Sequence, residues 1–373
     1  MNYIFWLSII IILYCYIGYP LAVFLISLFY KQPVKRTYPY PTVSIVMAVH
    51  NEEKNIEKKM QSLLELDYPD TRIEILIGSD GSTDKTDEIA DKFVNDRIKL
   101  YRLPQRKGKP SALNLLAGEA KGEILVFTDA RQRLDKNSVD ELVKNFADQK
   151  VGSVSAELFF EAEDNKTASG MGLYWNYEKF IRKYESKTGS MMGATGALYA
   201  IRRELFSKLP EDLILDDVYI PMKIMQRGYR AILDSKAKIY DRYSVSPKEE
   251  FLRKVRTLTG NFQLFIYHSW LMNPFKSIIS WQFISHKFLR LAVPFLLILI
   301  FISNLYLLDK GLYRIFFIGQ VFFYAFALIG LVFKHKNRIF DLPYMFCVMN
   351  VAAIVGLYRF ITKKQGVLWE KNS

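Results

Sequence analysis

The sequence has only two cysteines among its 373 residues, and each lies within a long apolar run. Cys15 and Cys347 are therefore interpreted as small buried side chains, which argues against a disulfide framework and against a cysteine metal site. No basic segment precedes the first apolar run, at residues 3–30, and no clear small-residue cleavage site follows it. This pattern disfavours a cleaved signal peptide. The chain also contains no internal repeat and no low-complexity tract.

The apolar residues are concentrated in a few long runs. A chain that is 50% hydrophobic, 15% aromatic and 24% charged cannot be one evenly composed soluble core. The runs that predict membrane-spanning helices occupy residues 3–30, 289–308, 312–333 and 339–361. We therefore predict spanning helices on both sides of a soluble central segment.

Positive charges beside these runs predict their orientation. They include Lys31, Lys35, Arg36, Lys287, Arg290, Lys334, Lys336 and Arg338. Because such residues favour the cytoplasmic side, residues 37–285 are predicted to lie in the cytoplasm. Lys363 and Lys364 disagree with this arrangement, which leaves the C-terminal topology open. The net charge of +13 is explained by charges beside a membrane, so nucleic acid is not expected as a partner.

The central segment alternates short β-branched runs with helical runs, which is typical of an open, mostly parallel α/β sheet. Strands are predicted at residues 43–49, 73–78, 98–102 and 123–128, with helices at 52–66, 84–94 and 111–120. Asp80 and Asp129 thus follow the carboxyl ends of strands, where open α/β sheets bind their ligands. Asp216 and Asp217 precede a further predicted helix, at 218–228.

Three segments, in this order, resemble glycosyltransferase family 2. They are VSIVMAVHNEE at residues 43–53, SDGSTD at 79–84 and GKPSALN at 108–114. The likeness is to the membrane-bound branch that includes cellulose, hyaluronan and poly-N-acetylglucosamine synthases. It implies the Rossmann-like nucleotide-diphosphosugar transferase fold, an α/β architecture called GT-A, with flanking transmembrane helices.

This resemblance also implies an organisation of the chain. Residues 1–36 are expected to form an N-terminal transmembrane helix with a basic flank, and residues 37–250 the cytoplasmic glycosyltransferase domain. Residues 251–286 are expected to form interfacial amphipathic helices on the cytoplasmic leaflet. Residues 287–373 are expected to form about three C-terminal transmembrane helices and a tail.

The resemblance assigns a donor site to the first half of the chain. The residues implied to surround the nucleoside of a UDP-sugar are Ala48, His50, Glu52 and Asp80, with a carboxylate that accepts the N–H of the base. Lys109, at the end of a basic loop, is implied to bind the diphosphate. His50 is equally consistent with a plain strand-end residue, and the basic loop with a solvated surface.

The remaining acids suggest a metal ligand and a catalytic base. Asp129 stands at the first position of the family's Asp-x-Asp signature and is implied to bind Mg²⁺ or Mn²⁺. Arg131 replaces the second acid, so either one carboxylate with water and phosphate oxygens holds the metal, or Arg131 contacts a phosphate itself. Asp216 and Asp217 match the family's Glu-Asp pair, whose second acid is the general base. The alternative for this pair is helix capping.

The acceptor side is expected in the second half. Arg253 and Arg256 lie where processive members carry Gln-x-x-Arg-Trp, and they are candidates to neutralise the leaving diphosphate. The alternative is a basic helix on the membrane surface. Thr257 replaces the Trp, which leaves processivity open. Trp175 is a candidate to stack on an acceptor sugar, although aromatic residues at helical spacing are also typical of a core.

These residues predict an inverting membrane glycosyltransferase that transfers a sugar from a UDP-sugar to a growing polysaccharide, with an export or assembly partner as a further expectation. Single addition to a lipid or lipid-linked oligosaccharide is the alternative. A membrane scaffold of the same fold without catalysis is the alternative of another class. The resemblance suggests an inner, or plasma, membrane as the location, with several spans and the catalytic domain in the cytoplasm.

Overall fold

The structure is a computed structural model of the chain and describes residues 1–37, 40–161, 169–242, 247–333 and 338–368. By their contacts the residues form two compact units. The helical unit comprises Met1–Phe29, Ala162–Tyr184 and Ser244–Gln365, and the sheet unit comprises Tyr30–Glu161, Glu185–Tyr243 and Gly366–Ser373. Of the basic residues used above to predict the orientation, Lys334 and Lys336 lie outside the described residues.

The elements are numbered in chain order. The strands are β1 (Val43–Val49), β2 (Ile73–Asp80), β3 (Ile98–Leu103), β4 (Ile124–Thr128), β5 (Arg133–Leu134), β6 (Val151–Glu161), β7 (Leu198–Arg202) and β8 (Arg230–Arg242). The helices are α1 (Asn2–Leu13), α2 (Tyr19–Phe29), α3 (Ile56–Leu64), α4 (Thr86–Asp91), α5 (Lys109–Glu119), α6 (Ser138–Lys144), α7 (Ser169–Thr188), α8 (Asp216–Gln226), α9 (Pro247–Tyr267), α10 (Ile278–Phe283), α11 (Leu289–Leu305), α12 (Gly311–Phe333) and α13 (Arg338–Ile361).

The sheet unit is built on one mixed sheet with the strand order β3-β2-β1-β4-β7-β6-β8-β5. The first four strands run parallel to one another, whereas β7 pairs antiparallel with both β4 and β6. Every residue of β1 is buried. A strand covered on both faces is expected to be apolar throughout, and its sequence, VSIVMAV, follows this pattern almost without interruption. The predictions of a mostly parallel α/β core and of its first four strands are confirmed.

The helical unit contains the long apolar helices. Among the described residues, four helices are long and apolar enough to cross a membrane: Asn2–Phe29, Ile278–Leu305, Gly311–Val332 and Ile339–Ile361. Their mean hydropathies are 2.4, 2.2, 2.3 and 1.7. Two of them contain a π-helical turn, at Tyr14–Gly18 and at Ile284–Phe288. The four predicted apolar runs therefore correspond to helices of sufficient length.

The second of these apolar helices differs from its prediction. It begins at Ile278, where the Ser277 hydroxyl oxygen accepts the N–H of Ser280 at 3.1 Å, rather than near residue 289. Residues 278–286, expected to belong to the interfacial segment, are thus continuous with the apolar helix. The sequence signal failed because His286, Lys287 and Arg290 interrupt the hydropathy of this stretch.

Two of these three side chains, His286 and Arg290, contact a buried acid from α7. Glu178 accepts from His286 Nε2 at 3.1 Å and is ion-paired with Arg290. Burial alone would raise the pKa of Glu178, but Arg290 and His286 hold it well below its usual range. Charged side chains are tolerated among apolar helices when they are paired in this way. The pairing explains how a helix with such charges stays within the helical unit.

Candidate functional site

The carboxyl ends of the parallel strands carry the predicted donor-site residues. His50 follows β1, Asp80 ends β2, and Asp129 follows β4, and β1 pairs with both β2 and β4. The three residues therefore lie along one edge of the sheet unit. This is the edge at which open α/β sheets bind ligands, as the sequence predicted.

Lys109 lies between two of the predicted acids. Its Nζ is 2.9 Å from Asp129 Oδ1 and 3.3 Å from Asp216 Oδ1. Burial by itself would lower the pKa of Lys109, but Asp129 and Asp216 outweigh it and raise the pKa above its usual range. The side chains of Lys109 and Asp216 are only 14% and 8% exposed, so this is not a solvated surface pair. The structure brings together the predicted phosphate ligand, metal ligand and first acid of the pair.

Asp217, the predicted base, is the second residue of α8 and is half-buried. Its backbone carbonyl accepts the N–H of Ala194 at 2.8 Å, which ties the start of α8 to the 193–196 turn. A Cβ added to Gly196 would lie 3.0 Å from Asp217 Oδ2, so glycine leaves room for this carboxylate. Leu215 is the N-cap of α8, so of the structural alternatives the position of Asp217 in the first turn fits a favourable interaction with the helix dipole. The role of Asp217 as base stays a prediction.

Asp216 has a further partner in Tyr199. The Tyr199 hydroxyl donates to Asp216 Oδ2 at a long distance of 3.4 Å, and its ring stacks on Phe127 with centroids 4.8 Å apart. Burial first, and then the negative charge of Asp216, raise the pKa of Tyr199 well above its usual range. Tyr199 therefore remains a neutral donor toward the acid. No motif in the sequence identified it.

Asp80 is fully buried, and its carboxylate holds the basic loop. Oδ1 accepts the backbone N–H of Lys107 and Oδ2 that of Gly108, both at 2.7 Å. Gly108 has φ +92°, a conformation that favours glycine, and it directly precedes α5. Asp80 thus fixes the turn that leads into Lys109. Its predicted contact with the base of the nucleotide stays a prediction.

The other predicted nucleoside residues surround the end of β1. His50 Nδ1 is 2.8 Å from the Asp80 carbonyl oxygen, so this nitrogen carries the proton. Glu52 Oε2 accepts from Asn55 Nδ2 at 2.7 Å. Ala48 is buried in β1 opposite Gly78 of β2. Their contact with a nucleoside stays a prediction.

Arg131, which replaces the second acid of the Asp-x-Asp signature, pairs with an acid that the sequence did not single out. Its Nη2 is 2.5 Å from Asp241 Oδ2, and Gln132 Nε2 donates to the same oxygen at 3.0 Å. The Asp241 side chain, on β8, is only 4% exposed and requires such partners. The suggestion that Arg131 contacts a phosphate therefore has a competing explanation in this ion pair.

Lys59 of α3 was also missed. Its side chain is fully buried, and its Nζ donates to Thr128 Oγ1 at 2.7 Å and to the Gln132 carbonyl oxygen at 2.9 Å. Burial lowers the pKa of Lys59 to about 7, against the attraction of Asp129 and Asp241. The position of Lys59 on the apolar face of α3 was the available indication that it is buried. Its charge made it look like a surface residue.

The predicted acceptor residues belong to the helical unit. Arg253 Nη1 is 3.4 Å from Glu250 Oε2 on α9, and Arg256 lies one turn further along the same helix. The guanidinium carbon of Arg182 is 6.0 Å from the centroid of the Trp175 ring on α7. These contacts are compatible with the structural alternatives given above. The roles of Arg253, Arg256 and Trp175 toward diphosphate and acceptor stay predictions.

A divalent cation is compatible with the acids around Lys109. No group of three or more histidine, cysteine, aspartate or glutamate side chains suited to a metal ion occurs among the described residues. Asp129 and Asp216 nevertheless share one cation already, the ammonium of Lys109. Mg²⁺ and Mn²⁺ sites commonly use one or two carboxylates, with water and substrate phosphates as the other ligands. The donor set fits such a site, with Asp129 as the more exposed ligand.

Comparisons with known proteins show what the chain is similar to. The profile described as "Glycosyl transferase family 2" matches residues 44–210. The chain is 28% identical to a beta-monoglucosyldiacylglycerol synthase of Synechocystis over 50% of this chain and 41% of the relative. It is 24% identical to a poly-beta-1,6-N-acetyl-D-glucosamine synthase of Staphylococcus aureus over 54% of this chain and 50% of the relative. The chain spans about half the length of the curated relatives it matches.

A solved structure supports the fold. A mannosyltransferase of Pyrobaculum calidifontis, solved in complex with GDP-Man and Mn²⁺, superposes with a TM-score of 0.73. The match covers 97% of this chain and 100% of the other, at 21% identity. The sheet, the order of the matched segments and this superposition lead to one conclusion. The chain contains a glycosyltransferase family 2 domain with the GT-A fold.

Proposed function

We propose that the protein is an inverting glycosyltransferase that transfers a sugar from a UDP-sugar to a growing polysaccharide at a membrane. The observation that carries the proposal is the cluster of Lys109, Asp129 and Asp216, with Asp217 next in the chain. An ammonium beside carboxylates at the carboxyl edge of an α/β sheet suits a ligand that carries phosphate. The family match supports sugar transfer as the reaction class.

In the proposed reaction the donor diphosphate binds beside Lys109. Asp80 keeps the turn before Lys109 in place through the two backbone N–H groups that it accepts. The ammonium of Lys109 neutralises charge that develops on the diphosphate as the bond from the anomeric carbon to the phosphate oxygen breaks. A divalent cation bound by Asp129 would supply further positive charge at the diphosphate.

Asp217 is proposed to act on the acceptor. Its carboxylate removes the proton of the acceptor hydroxyl while that oxygen bonds to the anomeric carbon from the face opposite the leaving diphosphate. A single displacement of this kind inverts the anomeric configuration. Asp216 is held by Lys109 and Tyr199, so the two neighbouring acids are proposed to have different tasks.

Single addition to a lipid is a second candidate for the acceptor. Thr257, which replaces the family's acceptor-binding Trp, has its hydroxyl bonded to the Arg253 carbonyl of its own helix at 3.0 Å. It offers no ring on which a growing chain could stack. A relative named as a beta-monoglucosyldiacylglycerol synthase is in keeping with a lipid acceptor. The apolar helices support a membrane location, for which we propose an inner membrane and a cytoplasmic sheet unit.

A donor screen tests the proposal. Detergent-purified protein is incubated with lipid extract, Mn²⁺ or Mg²⁺, and one labelled donor at a time from a set of UDP-sugars and GDP-mannose. The control is Asp129→Ala. Incorporation by wild type alone supports sugar transfer; a high-mass ladder identifies a polymer and a single lipid-soluble product identifies one addition. No incorporation from any donor, with normal UDP binding, would contradict the proposal and favour the scaffold.

A further inference from the structure

Lys59 contacts both ends of the chain segment 128–132, which contains Asp129. Its Nζ donates to Thr128 Oγ1 at 2.7 Å, immediately before Asp129, and to the Gln132 carbonyl oxygen at 2.9 Å, beyond it. The two acceptors thus lie on either side of the predicted metal ligand in the chain, and this pair of hydrogen bonds is called the bracket below. Because α3 supplies the donor, a residue from outside the segment holds it at both ends.

The bracket is anchored further at each end. The Thr128 hydroxyl donates its proton to the Ala197 carbonyl at 2.8 Å, which leaves the oxygen lone pairs for Lys59. At the other end, the Gln132 side chain donates to Asp241 at 3.0 Å. Both residues that accept from Lys59 therefore make a second contact. Between these two ends, the Asp129 carboxylate contacts Lys109.

A lysine amine is unfavourable at this buried position if its only role is to fill space. Lys59 is 2% exposed, and among the described residues it forms no ion pair within 4.0 Å. Burial of this amine without a carboxylate partner lowers its pKa to about 7, so a methionine of similar length would fill the same space at a lower cost in free energy. What methionine lacks is the pair of hydrogen bonds to Thr128 and Gln132.

We infer that Lys59 is a positioning residue for the divalent-cation site, acting through the Thr128–Gln132 segment to hold the Asp129 carboxylate toward Lys109 and Asp216. The inference rests on the proposed use of a divalent cation. Groups that orient a metal ligand without touching the metal commonly change metal affinity by about 10- to 100-fold when removed. We expect an effect of that size for Lys59.

The test is direct measurement of Mn²⁺ binding. The full chain in detergent is titrated with Mn²⁺ in the presence of UDP, and in a second series GDP, while free Mn²⁺ is followed by electron paramagnetic resonance. In Lys59→Met the dissociation constant for Mn²⁺ is expected to rise about 10- to 100-fold. At saturating Mn²⁺ the affinity for UDP is expected to match wild type, because the Lys59 side chain is only 2% exposed.

A matched control comes from the same helix. The Ser62 hydroxyl oxygen accepts the N–H of Leu134 at 3.0 Å, so Ser62 also ties α3 to the chain after β4, but outside the Thr128–Gln132 bracket. Ser62→Ala is expected to lower the thermal midpoint and to leave Mn²⁺ affinity unchanged. Thr128→Val removes one side of the bracket and keeps the Lys59 amine, and it replaces Lys59→Met if that variant does not fold.

The outcomes separate this inference from the proposed function. Folded Lys59→Met or Thr128→Val with wild-type Mn²⁺ affinity would overturn the inference, as would an equal loss in Ser62→Ala. Wild type that binds no Mn²⁺ with either nucleotide would overturn it too, since no cation site would exist to be positioned. Wild type that binds Mn²⁺ with UDP but transfers no sugar would contradict the proposed function, and the inference would then be decided by the variants alone.

Discussion

Replacement of Asp80 by asparagine is expected to weaken diphosphate binding through the basic loop. The fully buried carboxylate accepts two backbone N–H groups, of Lys107 and Gly108, each at 2.7 Å. An asparagine can accept only one of them and turns its own NH₂ toward the other. A hydrogen bond to a charged group contributes about 1.5–3 kcal/mol, and its loss here corresponds to about a 10- to 100-fold lower affinity.

Calorimetry with UDP and with uridine separates the possible causes. If Asp80 acts through the loop, Asp80→Asn loses UDP affinity and retains its weaker affinity for uridine, because only UDP carries the diphosphate. Asp84→Asn, on the same turn, serves as the control, since the Asp84 carboxylate accepts the backbone N–H groups of Glu53 and Thr86. Wild-type UDP affinity in Asp80→Asn would refute this reasoning. Equal losses for UDP and uridine would instead support the predicted contact with the base.

The remaining predictions concern charge at the donor site. Lys109→Met is expected to raise the KM for the nucleotide sugar about tenfold or more, because a charge-assisted contact to phosphate is lost; steady-state kinetics measure this. Arg131→Met is expected to lower the thermal midpoint, because the buried Asp241 loses its ion pair, while the same kinetics show little change in KM for the donor. Removal of divalent cations by EDTA is expected to abolish transfer, and excess Mn²⁺ or Mg²⁺ to restore it; activity that persists in EDTA would contradict the predicted metal dependence.

The fold was largely predictable because its signals are local. The β1 sequence is apolar throughout and wholly buried, and the strands predicted at 73–78 and 123–128 end within two residues of their observed ends. The long apolar helices follow from composition alone. The start of the helix at Ile278 was not predictable from hydropathy, because His286 and Arg290 are compensated by Glu178, more than a hundred residues earlier in the chain.

The candidate site was predictable where a motif marked it and not where only the folded chain creates the contact. Asp80, Lys109, Asp129 and Asp216 stand in recognisable segments, and the structure gathers the last three. The hydrogen bonds of the Asp80 carboxylate leave no pattern in the sequence, because the donors are backbone groups that any residue has.

Lys59 and Asp241 were missed for a related reason. Each is a charged residue at a buried position, and a charged residue is by default expected at the surface. Lys59 lies on the same helix face as Ile56, Met60 and Leu63, which was the one available indication of burial. Its partners, on the segment after β4, are known only once α3 packs there.

The most direct test of the account is the transfer rate of Asp217→Asn with donor affinity measured alongside. Asparagine keeps the size of Asp217 but cannot accept the acceptor's proton, so the single-turnover rate is expected to fall by about 10²- to 10⁴-fold. The dissociation constant for the nucleotide sugar is expected to stay at the wild-type value, because Lys109, Asp129 and Asp216 remain. A variant that binds the donor and transfers sugar at the wild-type rate would show that Asp217 is not the base, and would contradict the proposed mechanism.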